Sequence, residues 1–173
     1  MTGRLPLIAV IVLLIFGLPA GQEGTAGFPL QAVPFRTADG ITGNAGLVIT
    51  AVNDDDSISG IVRIQLDQAS RTRLAESNGA GIDSVPASIT LDQSRLWLRK
   101  GTSCPEIRIA ATGLIGKAGE HELKLNDLTF RIVETPDPRI QLFCAWVRQI
   151  NAGRHRLGII KAINRMISES TGT

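Results

Sequence analysis

Between residues 85 and 133 apolar and polar side chains alternate almost without interruption. Ile89 and Leu91 share one side of an extended segment, Leu96 and Leu98 one side of the next, followed by Ile107, Ile109 and Ala111, then Leu123 and Leu125, then Leu128, Phe130 and Ile132. Alternation at period 2 marks strands with one face on a core and one in water. The outward positions agree, being Arg95, Arg99, Arg108, Lys124, Thr129 and Arg131. Breaks rich in turn residues, at Asp92-Gln93-Ser94, Gly101-Thr102-Ser103, residues 113–119 and Asn126-Asp127, are too short to hold crossover helices. Short connections predict antiparallel hairpins and hence a meander. Residues 89–98 and 123–130 are similar to each other, as hairpins built from the same turn chemistry are.

Upstream, residues 47–52 are nearly all apolar or β-branched, 53–59 form a polar turn, and Val62, Ile64 and Leu66 alternate with Arg63, Gln65 and Asp67. This predicts a further hairpin. Residues 22–44 carry Gly24, Gly27, Pro29, Pro34, Gly40 and Gly43 and read as loop-rich, with 30–35 extended along a sheet edge. Proline lacks the ladder donor, which excludes a central strand there. Asp67 is placed to cap a short helix through Glu76, ended by Asn78-Gly79, and residues 79–84 link it to the meander.

Past Val133 the period changes. Asp137 before Pro138 is a helix start, and Ile140, Phe143, Cys144, Val147 and Ile150 fall on one helical face. A second set, Ile159, Ile160, Ile163, Met166 and Ile167, would lie on nearly the opposite side of one straight helix at about 100° per residue. Asn151-Ala152-Gly153 therefore predicts a break between two helices. The expected fold is α+β: an antiparallel β-meander sheet of about six to eight short strands covered by two C-terminal helices. The sheet is expected within residues 45–133 of a single domain spanning 45–173, with the helices at 138–169.

Residues 1–21 bear on the compartment. Arg4 precedes an apolar run over residues 5–16 that ends in Gly17, Leu18, Pro19, Ala20 and Gly21, the parts of a secretory signal peptide. A membrane span needs about 20 apolar residues, and residues 5–20 supply 16 with two prolines among them. Cleavage after Ala20 places Leu18 at −3, so removal as a signal peptide and retention as a short anchor both stay open. In either case the remainder is expected to be exported, periplasmic or extracellular. Charge is uneven: 11 basic and 15 acidic residues lie in 21–138, against 6 basic and 1 acidic in 139–173.

In an exported chain the two cysteines, Cys104 and Cys144, have the environment and even count for a bridge joining the meander to the first C-terminal helix. Other chemical signatures are incomplete. Asn53, Asp55, Ser57 and Ser59 resemble a calcium loop, but the twelfth position is Ile64 where a bidentate Glu is needed. Residues 111–118 come close to a P-loop and fail at Ala118, where a hydroxyl should reach magnesium; Gly79-x-Gly81 lacks the third glycine of a dinucleotide loop. His121 in Glu120-His121-Glu122 points away from both neighbours in a strand, and no second histidine stands near it. No G-x-S-x-G elbow is present. These residues nominate no catalytic set, metal or cofactor. Absent tyrosine and few aromatics argue against a stacking groove for bases, and nucleic acid is not an expected partner.

Arg154, His155, Arg156, Lys161 and Arg165 border an Ile-rich face and form the candidate contact for an anion or a partner. Basic residues in a first helical turn oppose the helix dipole, which favours an anion there; such a helix also suits an anionic membrane surface. The leading expectation is an exported, non-enzymatic binding or scaffold protein of the cell envelope acting through protein contacts. The alternatives are a lipid-binding or membrane-associated component of a transport or secretion assembly, and a hydrolase whose site is unrecognised. The alternation over residues 89–132 is similar to the β-meander blocks of envelope proteins that handle lipids or serve secretion machinery, a resemblance carried by alternation alone.

Overall fold

The computed structural model of the chain describes residues 28–91, 93–99, 104, 107–132 and 136–169. The expected leader at 1–21, the break at Gly101-Thr102-Ser103 and the start of the loop-rich stretch lie outside the described residues. In chain order the elements are β1 (Phe28–Pro29), β2 (Val33–Arg36), β3 (Thr42–Val52), β4 (Ser57–Leu66), α1 (Gln68–Ser77), β5 (Ser88–Thr90), β6 (Gln93–Arg99), β7 (Arg108–Ala118), β8 (His121–Lys124), β9 (Leu128–Arg131), α2 (Pro138–Asn151) and α3 (Arg156–Glu169). A single 3-10 turn, Ile82–Ser84, lies between α1 and β5.

Every strand pairing is antiparallel. β1 and β2 share one edge of β3, β5 and β6 share one edge of β4, and β8 and β9 share one edge of β7. The nine strands are thus six extended segments, β1–β2, β3, β4, β5–β6, β7 and β8–β9, that meander in sequence order. The sheet curls until β2 comes up against β9. Across this closure His121 Nε2 lies 3.2 Å from Asp39 Oδ2, tying β8 to the turn between β2 and β3. The antiparallel sheet and C-terminal helices agree with the expected α+β architecture, while residues 28–44 add two short edge strands and the start of β3 to the sheet.

Two of the expected hairpin turns do not reverse the chain, and a third is shorter than expected. β8 and β9 hold one register against β7, with Lys124 opposite Ile115 and Leu128 opposite Ala111, so Asn126-Asp127 does not reverse the chain. Of the expected connection at 113–119, residues 113–118 lie within β7, and the reversal is confined to its end at Gly119, whose φ is +63°. On either side of the expected turn at Asp92-Gln93-Ser94, whose Asp92 lies outside the described residues, β5 and β6 run in one direction along β4, their register moving by one residue between Thr90 and Leu96. The physical reason is that a bulge shifts the phase of alternation just as a turn does.

At Gly113, where φ is +63°, the buried positions of β7 change from Ile109 and Ala111 to Leu114, Gly116 and Ala118. On the partner strand they change at the same level, from Leu123 and Leu125 to Phe130 and Ile132. Matched slips keep the hydrogen-bond ladder in register while both strands bend. At the other end of the sheet a Cβ on Gly43 would stand 2.1 Å from the Gln65 carbonyl oxygen and 2.9 Å from the Phe35 ring. Only glycine lets β2, β3 and β4 approach this closely.

Inside the curl Leu47, Ile49, Ile64, Ile109, Leu123 and Phe130 are fully buried. α3 lies along β3 and α2 along α3. Phe143, Val147 and Ile150 of α2 and Ile159, Ile160, Ile163 and Ile167 of α3 join the same continuous core as the sheet. Cys104 and Cys144 are bonded, with Cα atoms 5.2 Å apart, and so fix α2 to the connection between β6 and β7. Among the described residues no helix is long and apolar enough to cross a membrane.

α1 begins where expected. Asp67 Oδ1 accepts from the Ser70 amide at 2.7 Å, and Oδ2 accepts from the Thr42 hydroxyl. The Thr42 hydroxyl foremost, then the Ser70 amide, hold the Asp67 carboxyl below its ordinary value.

Two predictions follow from these contacts. A bond across a sequence separation of 40 is worth about 4 kcal/mol in the chain-entropy model. A Cys104→Ser/Cys144→Ser variant should therefore melt about 10 °C lower by circular dichroism. Asp67→Ala should cost about 1 kcal/mol in a urea titration at pH 7. Because the folded pKa of Asp67 is depressed, its stabilisation is present above the ordinary carboxylate value and lost as pH falls through the folded one. The gap between wild type and variant should therefore close in acid.

Candidate functional site

The basic cluster expected near the C-terminus is built on α2, α3 and the link between them. Asp137 caps α2: its Oδ1 accepts from the Arg139 amide at 2.9 Å, and its Oδ2 meets the Arg139 guanidinium at 2.7 Å. The Arg139 guanidinium foremost keeps the Asp137 carboxyl below its usual range. α2 ends in a Schellman arrangement, with the Gly153 amide donating to the Ile150 carbonyl, the Arg154 amide to the Gln149 carbonyl, and Gly153 at φ +72°. His155 follows at φ +39°, and its carbonyl accepts from the Ile159 amide as α3 begins. The break predicted at Asn151-Ala152-Gly153 is thus a helix cap, and it lets both apolar stripes face one core.

α3 is fixed to the sheet by polar contacts as well. Asn164 lies beside the edge of β3 beyond β1; its Oδ1 accepts from the Val52 amide at 2.8 Å and its Nδ2 donates to the Val52 carbonyl at 3.0 Å. A side-chain amide here substitutes for one rung of a strand ladder. At the start of α3 the Arg156 guanidinium donates to Asp56 Oδ1 at 2.7 Å and to the Asp54 carbonyl. Asp55 turns the other way, accepting from the Ser57 hydroxyl at 2.6 Å and the Ser57 amide at 3.0 Å. The Ser57 hydroxyl foremost lowers the Asp55 pKa. The three aspartates therefore shape a turn and receive a helix. Among the described residues no three His, Cys, Asp or Glu side chains converge as a metal site.

The five residues expected as one anion or partner contact occupy three environments. Arg154 and His155 are exposed on the link. Arg156 is engaged with the aspartate turn. Lys161 and Arg165, one turn apart on the outer side of α3, border a groove of about 440 Å³ between α2 and α3. Its apolar lining comes from Leu142, Trp146, Ala162 and Met166. Leu142 is 42% exposed, unusual for so large an apolar side chain. Leu142 and Trp146 were not singled out from the sequence, although the signal was there: two large apolar residues spaced i, i+4 lie off the buried stripe of α2. No family model matches this chain, no curated protein is significantly similar to it, and no solved structure matches its fold.

The Asn164 contact is directly testable. Asn164→Ala leaves the amide and carbonyl of Val52 without their partners and should cost about 1–3 kcal/mol in chemical denaturation. Hydrogen exchange at the Val52 amide should accelerate with it.

Proposed function

We propose that this chain is an exported binding module of the cell envelope whose α2–α3 groove holds an acidic, amphipathic helical segment of a protein partner. One observation carries the proposal: Leu142 is exposed and Trp146 half-buried in a groove whose rim carries Lys161 and Arg165 against the single carboxylate of Glu169, a net positive edge. Apolar anchors in a concavity favour a rod-shaped ligand, read by alternate turns of a helix. Basic rims favour acidic partners and speed their encounter. A second copy of the same surface brings the same charge and is repelled, and a concave groove matches a helix better than a flat bilayer.

Export is supported by the bond between Cys104 and Cys144, a linkage that forms and persists in oxidising compartments. The interior of the curled sheet is filled with its own side chains, so the helix groove is favoured over a lipid-lined sheet as the place of binding.

A designed pair of helical peptides tests the proposal by calorimetry against the full oxidised chain. Both carry Leu and Phe at i, i+4 and i+7, one with Glu and one with Lys at the flanking positions. The Glu peptide should bind and the Lys peptide should not, with Lys161→Glu/Arg165→Glu reversing the preference. Trp146→Ala should weaken the Glu peptide by about tenfold or more, as expected for an aromatic anchor. Equal binding of both peptides, or no effect of the Trp146 substitution, would overturn the assignment.

A further inference from the structure

Strand register brings together three arginines that are far apart in sequence. Arg99 of β6 is directly opposite Arg108 of β7, and Arg108 is directly opposite Arg131 of β9. All three are exposed on the outer face. Directly opposed side chains on antiparallel strands have Cβ atoms roughly 4.5–5.5 Å apart, and like charges so placed are destabilising. Among the described residues no carboxylate pairs with any of them. A row of three like charges is therefore held on the sheet at a cost to the isolated molecule.

The next row has a different character. Trp97 stands opposite Ala110, and Ala110 opposite Thr129. Trp97 is 39% exposed. The small side chains leave a trough of about 490 Å³ lined by Arg99, Arg108, Ala110, Thr112, Asp127 and Thr129. Guanidiniums at one end meet carboxylate or phosphate through paired donors. Further along, two threonine hydroxyls and the Asp127 carboxylate supply the donors and acceptors that ring hydroxyls require. The indole beside the trough offers an apolar face with a polar edge.

We propose that this trough is a binding site for an acidic saccharide, its carboxylate or phosphate held by Arg99 and Arg108, with Arg131 adding charge from the next position of the row, and its hydroxyls held by Asp127, Thr112 and Thr129. Bound anion relieves the repulsion within the arginine row. Asp127 and the concave floor disfavour a flat anionic membrane. The site lies on the sheet and is independent of the helix groove.

The test titrates the full oxidised chain with trigalacturonate, phosphorylated maltotriose, maltotriose, and vesicles of phosphatidylglycerol and phosphatidylcholine. Either or both acidic saccharides should bind more tightly than maltotriose and more weakly as salt rises, and the tighter one identifies the anion. Arg108→Gln should weaken that binding by about tenfold or more, as loss of a charge-assisted contact does. Its melting temperature should stay level or rise, because the middle charge of the row is gone. If Arg108→Gln does not fold, Arg99→Gln gives the same readout. Thr129→Val should weaken saccharide binding without altering its salt dependence. No binding of either acid, equal binding of maltotriose, an unaltered affinity in the arginine variants, or binding to vesicles alone would overturn the proposal.

Discussion

A sheet that curls back toward its own first strand must keep one set of side chains inward while each strand changes direction. Where a strand bends at an irregularity the phase of its alternation slips by one residue, and the apolar set must slip with it to stay inside the core. Here the requirement is met by paired irregularities. Gly113 marks the bend in β7 where β8 gives way to β9, and both strands change phase together, so that Leu114 and Leu125 are buried at one level and Ile109 and Phe130 at another. The ladder survives on both sides of the bend. The same logic operates between β5 and β6, which share the edge of β4 one residue out of step.

The curled sheet leaves a length of β3 beyond β1, and the helices complete it. Ile159, Ile160, Ile163 and Ile167 supply the apolar cover, Asn164 satisfies the backbone of Val52, and Arg156 anchors the start of α3 to the aspartate turn. α2 then packs on α3 and is bonded to the connection between β6 and β7 through Cys144. Because the inner sides of both helices are committed to the core, their outer sides are free to differ, and Leu142 and the half-buried Trp146 line a groove there with Lys161, Arg165 and Glu169.

Much of this architecture was legible from local pattern. The alternating runs located the strands, the two opposed apolar stripes placed a helix break at Asn151-Ala152-Gly153, and the even cysteine count proposed the bond the structure contains. Less legible was the meaning of a phase slip. Asn-Asp and Gly are turn formers and bulge formers alike, and choosing between the two uses requires knowing which strand lies alongside. The same limitation hid the arginine row: Arg99, Arg108 and Arg131 were each recognisable as outward, but their juxtaposition is a property of register. The basic C-terminal residues are spread over three environments for a related reason. Arg156 is taken by Asp56, a hundred residues away, and no local periodicity encodes that partnership.

The position of the disulfide has a consequence for the integrity of the molecule. The covalent ring closed by Cys104 and Cys144 contains the whole β7–β8–β9 hairpin together with the first turns of α2. Backbone cleavage by a protease at the exposed Gly119-Glu120 tip would leave every atom attached to one molecule, the severed ends still clamped in the ladder. A nicked chain of this kind separates into two pieces only after a reductant reaches the sulfurs.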